Sequence, residues 1–172
     1  MRTTSNLHAA LQRLRLFDSH HLVWADAVCI NQADIEERST QIRLMRSIYS
    51  RAHETVDFLG EAGEEAMLAI ELGQKILDLA YSLPKAGQDT TTFGPLTTIV
   101  KITPDNYESY RLPPSQGKEW IALRMLFTVP WFRRVWIIQE FALSRYVSFR
   151  WGDILFTFEY LVRLSHLLRG QV

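Results

Sequence analysis

Leu7, Ala10, Leu11 and Leu14 recur at helical spacing, and Asn6 stands where an N-cap belongs. Leu22 to Ala27 is a short, largely apolar run, which predicts a buried strand. Asp34 then precedes Ile35, with Glu37 three positions on, a capping-box pattern. The helix it opens carries Ile35, Ile42, Met45, Tyr49 and Ala52 on one stripe. Thr55 to Leu59 is predicted as a second strand ended by Gly60, and Ala62 to Ser82 as a helix. Residues from about 83 to 117 break the rhythm: five of the six prolines, three glycines and a threonine run mark a long, partly ordered insertion. Trp120 to Phe127 is helical again, and Pro130 suits the first position of a helix reaching Leu143. Tyr146 to Trp151 alternates as a third strand, Gly152 breaks it, and Thr157 is placed to cap a last helix with Phe158, Leu161, Leu164 and Leu168 inward.

Strands alternating with helices predict an α/β domain around a mainly parallel sheet flanked by helices. Three strands are few for such a sheet, so a further strand is expected at the N-terminal end, as though the chain began late. The 172 residues suit one domain, 1–172. Lys plus Arg and Asp plus Glu are 19 each, so no whole-domain basic footprint for nucleic acid exists. Cys29 is the only cysteine, which excludes an internal disulfide and fits a cytoplasmic setting. As a lone, apolar-flanked thiol it is expected to be a buried small hydrophobe. No apolar run reaches the length of a membrane span, and no Cys/His spacing of metal type is present.

Two clusters carry candidate chemistry. The first is Trp24 to Gln32. Ligands of open α/β sheets sit beyond the carboxyl ends of strands, where Asp26, Asn31 and Gln32 would lie. Asp26 is suited to a ribose hydroxyl or to orienting a partner. The simpler account has Asp26 and Asn31 hydrogen-bonding their own loop. The second cluster is Pro130 to Glu140. Trp136 and Glu140 are four apart and share a helix face, and a carboxylate beside an indole is suited to acid/base work. Arg133 and Arg134 fall in the first turn, where the helix dipole disfavours cations and an anionic ligand or acidic neighbour would help. The simpler account makes Trp131, Phe132 and Trp136 core and pairs Glu140 with an arginine.

Together the clusters resemble the fungal heterokaryon-incompatibility (HET) domain. LVWADAVCINQADIEERSTQIRLMRSIYSRAHETVDFLG is similar to its first block, matching at Trp24, Asp26, Ala27, Cys29, Ile30, Asn31, Gln32, Asp34, Glu37, Arg38, Gln41, Met45, Ile48, Tyr49 and Ala52. PWFRRVWIIQEFALS is similar to the second, with Pro130, Trp131, Phe132, Arg134, Trp136, Gln139 and Glu140 in place, and Trp151-Gly152 resembles the element that follows. The family's opening strand block has no counterpart, and Asp57 inside the second strand departs from its pattern. The resemblance implies non-self recognition between fungal individuals, with the domain as a cell-death effector or signalling module of innate-immunity type. It also implies a Toll/interleukin-1 receptor (TIR)-like, flavodoxin-like fold. Some TIR domains cleave NAD with a glutamate in a W-C-x-x-E setting, which Trp136 to Glu140 resembles. Glu140 is then the catalytic candidate of an NAD glycohydrolase, NAD is its substrate, and Arg133 or Arg134 would hold the pyrophosphate. Expected partners are other HET or incompatibility proteins or a second copy of the chain. An inactive truncated paralogue is the remaining alternative.

Overall fold

In a computed structural model, residues 4–20, 22–82, 103–134 and 137–168 are described. They form a mixed α/β structure in two compact units, Met1–Ala62 with Pro130–Thr157, and Gly63–Val129 with Phe158–Val172.

The first unit holds the sheet. Strand β1 (Thr55–Gly60) runs parallel to β2 (Val147–Trp151), and β2 runs antiparallel to β3 (Ile154–Thr157), in the order β1-β2-β3. Among the described residues the sheet is therefore mixed, with one parallel seam, rather than mainly parallel. The expectation missed β3: residues 154–157 are separated from β2 only by the tight Gly152 turn, so a hairpin forms where the sequence showed only a strand break. The strand expected over Leu22–Ala27 is absent. Residues 22–25 have no regular structure, Leu22 is fully exposed, and helix α2 (Asp26–Cys29) takes the rest of the run. Apolar composition alone does not distinguish a strand from a loop entering a short helix.

Helix α1 (Ser5–Leu14) is capped by the Thr4 hydroxyl, which accepts from Leu7 N–H at 3.2 Å, so the cap lies two residues before Asn6. Its C-terminal end is fastened to the sheet. The Arg13 guanidinium pairs with Glu61 at 2.7 Å and with Asp153, and Arg150 of β2 donates to the Arg13 carbonyl. Helix α3 (Ile35–Arg51) begins as expected, with the Asp34 carboxylate accepting from Glu37 N–H at 3.0 Å. The return half of the capping box is redirected, because Glu37 accepts from Asn31 N–H at 3.0 Å instead of from the cap itself. The predicted stripe holds in its C-terminal half, where Met45, Tyr49 and Ala52 are half-buried. It fails in the N-terminal half, where Ile35 and Ile42 are exposed.

The single helix expected over 130–143 is two elements: a 3-10 turn at Pro130–Arg133 and helix α6 (Ile137–Leu143). Trp131, buried in the first, meets Phe149 edge-on with ring centroids 4.8 Å apart, and Phe141 of the second stacks on the same ring at 5.9 Å. Phe149 in turn stacks on Phe156 at 5.6 Å across the β2–β3 pairing. This aromatic cluster covers one face of the sheet. The arginines therefore end a short turn rather than begin a long helix.

The second unit is helical. Helices α4 (Glu64–Ser82), α5 (Lys118–Thr128) and α7 (Phe158–Leu167) bury Leu72, Ile76, Leu123, Leu126 and Leu164. Leu161 and Leu168 are also buried, as expected, whereas Phe158 is exposed. Gly73 permits a close approach: the Tyr160 hydroxyl donates to the Ile70 carbonyl at 3.0 Å, and a Cβ on Gly73 would lie 1.9 Å from that hydroxyl. Part of the expected insertion, residues 103–117, is folded onto α5. Tyr107 stacks on Trp120 at 4.6 Å and the Trp120 indole N–H donates to the Pro113 carbonyl at 3.0 Å.

Gly152 holds the β2–β3 turn at φ 56°, where its N–H donates to the Gly60 carbonyl at 2.9 Å. A Cβ there would lie 2.4 Å from the Ala62 carbonyl oxygen. Gly152→Ala therefore combines left-handed strain with a backbone collision. It is expected to cost roughly 2–3 kcal/mol and to lower the melting temperature by about 5–10 °C in a circular-dichroism melt. A shift below about 2 °C would show that the turn relaxes freely.

Candidate functional site

Three elements of the first unit converge on two carboxyl groups. Strand β1 buries Asp57 and Leu59 on the same face. Asp57 is paired in register with Phe149, and Phe149 with Phe156. Asp57 is thus the polar end of an otherwise aromatic row across the sheet. Glu140 lies in the first turn of α6, beside the Phe141 that docks on Phe149. Asp57 and Glu140 are only 6% and 7% exposed.

The surroundings supply one cation and one aligned donor. The Tyr49 hydroxyl of α3 donates to Glu140 Oε1 at 3.4 Å. Arg134 Nη2 stands 3.8 Å from the same oxygen, and its side chain is half exposed. The second oxygens, Asp57 Oδ2 and Glu140 Oε2, are buried without a hydrogen-bond partner, as is Trp131 Nε1. Burial pushes the Asp57 carboxyl up to about 7, helped by the charge of Glu140 and a hydrogen bond to it; the Trp131 indole and Arg134 pull the other way. Tyr49 is also pushed up, first by burial, then by the charges of Glu140, Asp26 and Asp57.

Of the residues expected from the first cluster, Asp26 comes near this centre. It opens α2, is exposed, and its charge is felt by Tyr49, whose ring meets Trp24 edge-on at 6.4 Å. Asn31 and Gln32 are spent on their own loop. Asn31 Oδ1 accepts from Ala33 N–H at 3.2 Å, and Gln32 Nε2 donates to the Asp26 carbonyl at 2.9 Å. From the second cluster, Arg134 and Glu140 are brought together, and Arg133 is exposed at the end of the 3-10 turn. Trp136 lies outside the described residues, so the pairing of its ring with Glu140 does too. Cys29 is exposed rather than buried, because α2 is a surface helix and not the end of a strand.

Sequence reasoning missed Asp57 and Tyr49. The signal for Asp57 was present: a carboxylate within TVDFLG, where neighbours predict a buried strand, is a residue type rarely found fully buried without a partner. Tyr49 looked like one more apolar position on a stripe. Among the described residues no group of three or more His, Cys, Asp or Glu could hold a metal ion, and no helix is long and apolar enough to cross a membrane.

A family model described as "Heterokaryon incompatibility protein (HET)" matches residues 1–140, a range that takes in Tyr49, Asp57, Arg134 and Glu140. The "Heterokaryon incompatibility protein 6, OR allele" of Neurospora crassa is 34% identical, over 88% of this chain and 24% of its own length. The chain thus spans about a quarter of that relative. No solved structure matches.

The Asp57 carboxyl fixes a direction for pH dependence. Its folded value, about 7, lies above the unfolded value of 3.8, so the folded chain holds more protons between them. The stabilisation is complete below about pH 4 and is lost as pH rises through 7. Urea unfolding between pH 4.5 and 8 is expected to show stability falling with pH from this group. Asp57→Asn should flatten that slope, and the idea fails if the parent and the variant have parallel profiles.

Proposed function

The chain belongs to the heterokaryon-incompatibility family, and from that premise we propose that it acts in fungal non-self recognition as a cell-death effector or signalling module. Its output is a death or arrest signal passed on through other incompatibility proteins or through a second copy of the chain. The reading is supported by the family match, whose span covers the Glu140 centre. A TIR-like fold belongs to the same proposal, supported by the parallel β1–β2 seam with helices intervening between its strands.

A second reading is favoured by one observation: Glu140 is a buried carboxylate with an unpartnered oxygen, next to Arg134 and Asp57. In this reading the chain cleaves NAD. A carboxylate placed against an anomeric carbon stabilises the positive charge that develops there as nicotinamide leaves, and a half-exposed arginine suits the pyrophosphate. Of the arginine pair, Arg134 is the one tied to Glu140, so it is the stronger candidate; Asp26, exposed near Tyr49, is suited to a ribose hydroxyl. Trp136 completes this candidate site by its place in the sequence.

Induced expression of this chain in a filamentous-fungal host is expected to arrest hyphal growth, and growth equal to an empty-vector control would remove the effector reading. Glu140→Gln, with matching circular dichroism, separates the two mechanisms. If the chain cleaves NAD, the variant loses both killing and NAD depletion, with turnover reduced roughly 100-fold or more. If it signals through contacts alone, NAD is stable throughout and the variant still kills.

A further inference from the structure

Among the described residues, and outside the named candidates, one buried acidic group has no assigned task, Asp57. Its surroundings can be accounted for element by element. On β2 it faces Phe149, and from the 3-10 turn it faces the Trp131 indole. Arg134 follows that turn, Glu140 comes from α6, and Tyr49 comes from α3 with Asp26 of α2 acting on it. Two carboxyl groups more than nine-tenths buried thus meet one arginine, half exposed, 3.8 Å from one of them. Among the described residues one negative charge is left without a counter-ion, and an unpaired buried charge is among the costliest features a fold can hold.

The hydrogen-bond pattern shows how the surplus is met. Tyr49 and Arg134 both address Glu140 Oε1. Neither reaches Asp57 Oδ2 or Glu140 Oε2, and Trp131 Nε1 is not aligned with either carboxyl group. Two carboxylates can only accept; a proton turns their contact into a hydrogen bond. We infer that Asp57 and Glu140 share a single proton carried mainly by Asp57, which makes Asp57 the positioning residue that holds Glu140 with Oε1 toward Tyr49 and Arg134. Asp57 touches no substrate in this arrangement. It fixes the charge and the rotamer of the residue that would. The inference deepens the proposed role of Glu140, yet it concerns the proton alone and holds whether or not the chain kills hyphae or cleaves NAD.

The test follows side-chain carboxyl carbons by NMR in the whole chain, labelled on Asp and Glu, across pH 4 to 9. The Asp57 signal is expected to move with a midpoint near 7, and the Glu140 signal to move with the same midpoint, the signature of a shared proton. Glu140→Gln should lower the Asp57 midpoint by about one unit or more, since it removes the neighbouring charge and puts an amide that can donate to the ionised Asp57 carboxylate in its place. An Asp57 midpoint in the ordinary carboxylate range overturns the inference. So does an Asp57 midpoint unchanged in Glu140→Gln, which would mean that burial alone is responsible. Should the variant fail to fold, the parent titration still decides, because independent midpoints for the two signals rule out sharing. Inert Glu140 variants in the growth assay, with coincident midpoints here, would reject the catalytic reading and leave the shared proton standing.

Discussion

A carboxyl group at one end of an aromatic row is the constraint on which the first unit depends. Phe149, Phe156, Phe141 and Trp131 exclude water from one face of the sheet. Asp57 sits in register with Phe149, and Phe149 with Phe156. The cluster that stabilises the sheet by burial also removes hydration from Asp57, so the group must find its compensation within the protein. Glu140, Tyr49 and Arg134 surround it from separate elements, and packing and polar chemistry cannot be varied independently there.

That coupling explains why the break after Pro130–Arg133 matters. A continuous helix would carry Trp131, Arg134 and Glu140 along a single axis. The 3-10 turn instead seats Trp131 against Phe149 and lets α6 start afresh, with Glu140 in its first turn, where a carboxylate is favoured by the helix dipole. Arg134 falls between the two elements and reaches back to Glu140.

Much of this was legible in the sequence, and the rest was hidden for identifiable reasons. Asp34 announced α3 because capping is local chemistry, read from four adjacent residues. Helices α1, α4 and α5 and strands β1 and β2 followed from periodicity. The run Leu22–Ala27 misled because Leu22 and Val23 are exposed and the rest enters a short helix, and β3 was overlooked because four residues after a glycine are too few to show alternation. At the site, Glu140 and Arg134 could be named from their spacing. Their partner Asp57 could not, since it lies some 80 residues upstream and only the β1–β2 seam brings it near. Asn31 and Gln32 were singled out by position beyond an expected strand end; with no strand there, their side chains close the loop.

The order of the strands also bears on how the first unit is assembled. The β2–β3 hairpin joins neighbours in sequence and can form early and locally, whereas β1 must find β2 across a long intervening stretch whose closure costs chain entropy. Loop closure therefore favours the pairing of Phe149 with Phe156 over that of either with Asp57. Asp57 loses its hydration through the β1–β2 seam, and α6, which leads into β2, carries Glu140 to the same seam. The burial of Asp57 and the approach of Glu140 thus depend on one long-range pairing, and a hairpin lacking β1 would present an unpaired strand edge instead of a finished sheet.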